Sequence, residues 1–224
     1  MKDFFFSYLF YLFFAYLLGS FPSGYLITRF SVKKNILEIG WRKTSGSNVI
    51  KNVGLWQGAL TGILDILKGF LAVWLAQKFG FPFPVQVLSG VAAIVGHNWS
   101  LFLKFGGGRG VATFIGVMLA FSPKILFLSA ISFLFFTIIF SSPIGTFFFV
   151  LTVFLLSFCF NQFLTSGLFA ILSLVPILIK RLSPIKEILP IKEKKELIKN
   201  RLLFDNDKAV ESKIKSFIKR KKGL

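Results

Sequence analysis

A chain of 224 residues that is 54% hydrophobic, with 31 phenylalanines and a mean hydropathy of +0.73, is excluded from the soluble globular domains. Its formal net charge of +18 is gathered in one loop and the C-terminal tail with no regular interleaving of aromatics among the bases, so nucleic acid is not the expected partner. With Cys159 and His97 each alone of their kind, no intrachain disulfide and no cluster of metal ligands is available, and neither metal nor cofactor is expected.

The apolar stretches recur at close to the ~20 residues a helix needs to cross the hydrocarbon core. They predict an all-α polytopic membrane protein with helices at about 4–29, 55–77, 84–103, 109–122, 124–140, 143–158 and 163–180. Breaks are marked by Pro82 and Pro84, by the run Gly106-Gly107-Gly108, by Pro123, by Ser141-Ser142-Pro143 and by Asn161-Gln162. The short alternating strands of a transmembrane barrel are absent from the pattern. The first apolar run reads as a span rather than a signal peptide, because only Lys2 precedes it and hydrophobicity resumes at Tyr25-Leu26-Ile27.

Lys and Arg set the orientation: residues 29–54 carry six, 104–109 two, and the chain after residue 179 fifteen. The connections on the other side hold only Lys2, Lys78 and Lys124, which predicts seven spans with the N-terminus outside and the C-terminus cytoplasmic. Residues 1–180 then form the transmembrane domain and 181–224 a basic cytoplasmic tail. In that tail Val210, Ile214, Phe217 and Ile218 are spaced to share one helical face, as in a helix lying on anionic lipid; a merely solvated tail is the simpler alternative.

Four polar segments stand out against this apolar background. The first, Gly19-Ser20-Phe21-Pro22-Ser23-Gly24-Tyr25-Leu26, offers small residues for close helix approach, with Ser20 and Ser23 as candidate pocket groups. The second runs from Lys43 through Thr44, Ser45, Gly46, Ser47 and Asn48 to Lys51 and Gly54; it suits an anion nest at a helix start, or else a plain polar loop. The third is Asp65-Ile66-Leu67-Lys68-Gly69, whose two charges share a helix face either as a structural pair or as the lining of a polar path. The fourth leads from Gly96-His97-Asn98 through Lys104 into the glycine run and Arg109, where glycines admit a ligand to the backbone and a guanidinium offers a planar fork to phosphate. For His97 alone, a hydrogen-bonded structural role outranks a catalytic one. A Ser-His-Asp hydrolase is disfavoured, since no G-x-S-x-G turn accompanies it.

In order and spacing, from about residue 16 to 123, these segments resemble the acyl-phosphate-dependent glycerol-3-phosphate acyltransferases of bacterial membranes. The likeness comprises a G-S-x-P-x-G-Y-L start, a loop ending in (T/S)-N-V with a following base and glycine, a D-x-x-K-G helix, and a G-H-x-x-x-x-F-L-K-F-x-G-G-(K/R)-G-V-A-T block matched from Gly96 to Thr113. The resemblance implies a seven-helix enzyme of the bacterial cytoplasmic (inner) membrane that moves a fatty acyl group from acyl-phosphate to the 1-hydroxyl of glycerol 3-phosphate. The products would be lysophosphatidate and phosphate, with the phosphate of a substrate able to take the hydroxyl proton.

Carried over residue by residue, the resemblance implies catalytic roles for Arg109, Lys51 and Ser47, with Arg109 binding phosphate and stabilising charge during transfer. It implies substrate-binding roles for Ser45, Gly46, Asn48, His97, Lys104, Gly107, Gly108 and Asn200, and pocket roles for Asp65, Lys68, Ser20 and Ser23. The sequence departs from the family pattern in two places. Trp41 stands where the phosphate loop usually has serine, leaving Ser45 or Ser47 to replace it. In the C-terminal H-R-x-N-I-x-R-L element, Ile179-Lys180-Arg181-Leu182 fits the end, while Val175 and Leu178 hold the His and Asn positions; a later register at Asn200-Arg201-Leu202-Leu203 restores only the asparagine. The acceptor side of the pocket is therefore expected to differ. A transporter or flippase for a phosphorylated anion is the alternative class, although no repeated half is apparent. An inactive homologue is a third.

Overall fold

The computed structural model describes residues 2–183 and 194–204. The apolar face expected at Val210, Ile214, Phe217 and Ile218 lies outside the described residues. Within them the chain is helical and contains no strand.

The first apolar run, expected as one helix over 4–29, is two: α1 (Lys2–Ser20) and α2 (Ser23–Val32). Pro22 has no N–H to offer the carbonyl one turn back, and its ring crowds that carbonyl, so the helix stops and restarts. The break frees polar groups that lipid cannot satisfy. Ser100 Oγ donates to the Ser20 carbonyl at 2.5 Å, and Lys68 Nζ donates to the Phe21 carbonyl at 2.9 Å. Two other elements are thereby tied to this point.

A loop and the short helix α3 (Gly46–Asn52) lead into α4 (Leu55–Lys78). Next, α5 (Phe83–Asn98) is shorter than the expected 84–103 and passes through a 3-10 turn at Leu101–Leu103. The helix expected to open at 109 starts at Val111, because Gly110, at φ +79°, forms its left-handed cap; this is α6 (Val111–Phe121). Then α7 (Pro123–Ile139) and α8 (Ser142–Cys159) both begin as Pro and Ser signals predict, with the Ser122 and Ser141 side chains accepting from the amides of Ile125 and Ile144. A π turn at Phe163–Gly167 introduces α9 (Leu168–Leu182).

Two close helix pairs frame the bundle. A Cβ on Gly19 of α1 would meet the Ala93 carbonyl of α5, and one on Gly96 of α5 would meet the Tyr16 carbonyl of α1. The same reciprocal arrangement joins α4 to α6 through Gly69 against Thr113 and Gly116 against Ile66. Such backbone approach is what small residues supply between apolar helices. Between these pairs and α8 and α9 lies an aromatic core, with the Phe114 ring 5.2 Å from Phe149 and 4.9 Å from Phe169. Outward-facing apolar side chains remain bare, Phe10 being 75% exposed, which suits lipid rather than water.

Among the described residues, five segments are long and apolar enough to cross a membrane: Phe5–Val32, Leu55–Lys78, Phe83–Leu103, Ser142–Cys159 and Phe163–Leu182. Both α6 and α7 are apolar but shorter.

Beyond residue 193, α10 (Lys194–Phe204) packs against α8 and α9. Ser141 Oγ donates to the Leu203 carbonyl at 2.5 Å, and the Arg201 guanidinium donates to the Leu182 carbonyl at 3.1 Å. The expected boundary at 180/181 thus falls inside α9, and this part of the tail rests on the bundle.

Candidate functional site

Asn48 organises the loop before α3. Wholly buried, it accepts at Oδ1 from the Trp41 amide (3.0 Å) and from Asn52 Nδ2 (2.9 Å), and donates from Nδ2 to the carbonyls of Ile39 (3.1 Å) and Lys43 (2.8 Å). Its side-chain hydrogen-bonding capacity is spent on folding residues 39–43 over α3. Expected to bind substrate, it is placed here to shape the loop.

That loop meets the glycine run. The Thr44 amide donates to the Gly107 carbonyl at 3.3 Å, and the Gly108 amide donates to the His97 carbonyl at 3.0 Å. A Cβ on Gly108 would run into the His97 imidazole, and one on Gly107 into the His97 and Asn98 carbonyls. The glycines are thus required for the strand of loop to lie flat on the end of α5. Arg109 follows directly, 7% exposed, with its guanidinium carbon 4.8 Å from the centre of the Trp41 ring.

A cavity of about 330 Å³ opens in front of Arg109. Its walls gather Ser45, Gly46 and Ser47 from the start of α3, Gly58, Gly62 and Asp65 from α4, His97 from α5, Val111 and Ala112 from the first turn of α6, and Arg181 from α9. The first amides of a helix have no intrahelical acceptor, so the opening of α6 adds positive potential to that of the two guanidinium groups. Ser45 and Ser47 lie with their hydroxyls 3.4 Å apart. A cavity with two arginines and two serines set in its wall is suited to a phosphorylated ligand.

Asp65 forms the inner wall, 1% exposed. Its Oδ1 accepts from Ser23 Oγ at 2.6 Å and pairs with Lys68 Nζ at 2.8 Å, and His97 Nδ1 stands 3.6 Å away, beyond direct hydrogen-bond reach. Lys68 is absent from the cavity wall and spends its ammonium on Asp65 and the Phe21 carbonyl. The cluster therefore ties α2 to α4 beside the cavity, with His97 of α5 set against it. Ser20 is buried at the same junction and offers its carbonyl to Ser100.

Other expected site residues are not brought to the cavity. Lys51 is exposed, with its ammonium 5.3 Å from the Trp41 ring centre. Lys104, at φ +50°, is exposed at the turn before the glycines. Asn200 is buried on α10 and does not line the cavity.

Two residues given no role from sequence come forward instead. Trp41, the departure from the expected serine, carries both the Lys51 and the Arg109 cations on its ring. Arg181 is 3% exposed and faces the cavity. It is positioned because Asn98 Nδ2 donates at 3.0 Å to the carbonyl of Pro176, seating α9 on the end of α5, while Lys180 Nζ reaches the Phe105 carbonyl at 3.5 Å. The available signal was a basic pair closing an apolar run.

A family model described as glycerol-3-phosphate acyltransferase matches residues 9–190. A glycerol-3-phosphate acyltransferase of Prochlorococcus marinus is 40% identical over 114 residues, 51% of this chain and 58% of that relative. Glycerol-3-phosphate acyltransferase 2 of Moorella thermoacetica is 44% identical over 113 residues, 50% of this chain and 58% of that relative, so the chain spans a little over half the length of these curated relatives. Among solved structures, the glycerol 3-phosphate form of PlsY, an integral membrane glycerol 3-phosphate acyltransferase, superposes with a TM-score of 0.71 at 30% identity, covering 82% of this chain and 92% of that one. The lysophosphatidic acid form of PlsY gives a TM-score of 0.69 over the same shares.

Proposed function

The chain belongs to the glycerol-3-phosphate acyltransferase family, and from that membership we propose that it transfers a fatty acyl group from acyl-phosphate to the 1-hydroxyl of glycerol 3-phosphate. The observation that carries the reading is that Arg109 and Arg181, from distant parts of the sequence, line one cavity of about 330 Å³.

The acceptor hydroxyl oxygen attacks the carbonyl carbon of the donor, and the bond from that carbon to the phosphate oxygen breaks. Lysophosphatidate and inorganic phosphate result, the leaving phosphate carrying away the hydroxyl proton. Arg109 grips phosphate oxygens through its planar fork and holds the charge that grows on them as the bond breaks. Arg181 supplies the second positive charge that a site for two phosphate groups, one of an acyl anhydride and one of an ester, calls for. Ser45 and Ser47 offer hydroxyls to the acceptor. Lys51 acts at a distance, through the Trp41 ring, rather than as a direct phosphate ligand. Asp65, Lys68 and Ser23 keep the wall in place.

Trp41 holds the Arg109 guanidinium against its face. Trp41→Ala is expected to lower kcat/KM by roughly 5- to 30-fold, the equivalent of ~1–2 kcal/mol of cation–π attraction, with Trp41→Phe keeping most of the activity. Steady-state kinetics that leave Trp41→Ala at the wild-type value would remove Trp41 from the site.

For the membrane arrangement we propose seven crossings in the bacterial inner membrane, N-terminus outside and C-terminus cytoplasmic. The six bases of residues 29–54 and the fifteen after residue 179 support this orientation, and it puts the cavity on the cytoplasmic side, where glycerol 3-phosphate is soluble. At ~1.5 Å per residue the 11 residues of α6 reach about 16 Å, a short crossing that packing against α4 makes tolerable.

The acceptor assignment is tested by giving the purified protein one acyl-phosphate and a panel of small phosphorylated and unphosphorylated polyols. Acylation of glycerol 3-phosphate in preference to the rest is expected. Preference for a different acceptor would replace the substrate, and movement of unaltered glycerol 3-phosphate across proteoliposomes would replace the reaction.

A further inference from the structure

A second cavity, of about 340 Å³, lies between the first turns of α8 and the last turns of α9, with α10 across it. Ile144, Phe147 and Phe148 form one side, Leu178 another, and Leu202 and Leu203 of α10 the outer wall. Thr146 also lines it and spends its hydroxyl on the Ser142 carbonyl at 2.8 Å. Among the described residues Arg181 is the single charged one in this wall, and it lines the first cavity as well. Ser142 borders the first cavity and its neighbour Pro143 the second. A compartment that holds Asp65, His97 and two arginines and a compartment walled almost wholly by apolar side chains thus share a boundary at Arg181. This is the shape required by a ligand with a phosphate head and a hydrocarbon tail, and the apolar chamber is of the size that small-molecule sites occupy.

The wall at Leu202 and Leu203 comes from a helix that begins at Lys194, after the family match ends at residue 190. Side-chain hydrogen bonds fix that helix in place, from the Ser141 hydroxyl to the Leu203 carbonyl and from the Arg201 guanidinium to the Leu182 carbonyl. We propose that the second cavity receives the acyl chain of the donor and that α10, through Leu202 and Leu203, sets the chain length this protein accepts. The proposal rests on the acyltransferase reading above, since that reading supplies a ligand with an acyl tail.

The full chain in proteoliposomes is given acyl-phosphates of increasing chain length. Leu202→Trp, which fills the chamber from α10, is expected to lower kcat/KM for the longer donors by about tenfold or more while sparing the shortest, since a single methylene in such a pocket is worth roughly 10- to 200-fold. Ile144→Trp fills it from α8 and should shift the profile the same way, which guards against a fault in folding of either variant alone. Alkyl phosphonates, which carry the tail and a charged head but no transferable acyl group, should bind wild type more tightly as the chain lengthens, and Leu202→Trp should flatten that series. A wild-type enzyme that is active while both variants keep its chain-length profile overturns the chamber and leaves the acyltransferase reading standing. No transfer from any donor, with phosphonate binding that still tracks chain length and is flattened by Leu202→Trp, overturns the reaction and leaves the chamber. Phosphonate binding indifferent to chain length overturns the chamber in either case.

Discussion

Arg109→Ala is expected to cut phosphate release from acyl-phosphate by roughly 10²- to 10³-fold, the usual cost of removing one donor that stabilises developing charge. Arg109 is 7% exposed and lines the cavity, and its guanidinium lies over the Trp41 ring, so it is held in position before substrate arrives. Little reorganisation is then needed as charge grows on the leaving phosphate. Arg109→Lys keeps the charge and loses the bidentate fork, so it should recover only part of the rate. Thermal unfolding measured on the same preparations separates this from a loss of fold. An Arg109→Ala enzyme that melts like wild type and turns over at the wild-type rate would take Arg109 out of the chemistry.

The second large effect is expected in stability. Asp65 is 1% exposed and its Oδ1 meets Ser23, Lys68 and, at 3.6 Å, His97. Asp65→Ala leaves the Lys68 ammonium buried with the Phe21 carbonyl but no countercharge, and removal of one partner from a buried pair costs ~3–5 kcal/mol. The loss should appear as a lower melting temperature in micelles, together with lower activity, because α2, α4 and α5 meet there. The double variant Asp65→Ala/Lys68→Met should regain a substantial part of the stability, as neither charge is then left alone. A single variant as stable as wild type would mean that the pair contributes nothing to holding the cavity wall.

Most helix positions were legible because apolar runs, prolines and serine caps coincide in this sequence, as at Ser122-Pro123 and Ser141-Ser142-Pro143. The break at Phe21-Pro22 was not, since hydrophobicity continues through it and the carbonyls it frees are satisfied by Lys68 and Ser100, far away in sequence. The start of α6 moved because Gly110 adopts a left-handed conformation that only the fold around the glycine run requires. In the site, Arg109, Ser45, Gly46, Ser47, Asp65 and His97 do border one cavity. Asn48, legible as polar and near a helix start, is consumed by its own loop, and hydrogen-bond accounting of that kind needs coordinates. Arg181 and Trp41 gain their positions only through contacts between elements far apart in the chain, the Asn98 to Pro176 bond and the ring beneath Arg109. Spacing within a motif does not report such contacts.

The central claim is that the two-arginine cavity couples loss of phosphate to acylation of glycerol 3-phosphate. Its most direct measurement is the simultaneous assay of inorganic phosphate and lysophosphatidate from purified wild-type protein given acyl-phosphate, with and without glycerol 3-phosphate. The account predicts equal amounts of the two products and next to no phosphate when the acceptor is left out. Phosphate released at the same rate without the acceptor, or no lysophosphatidate with it, would contradict the account.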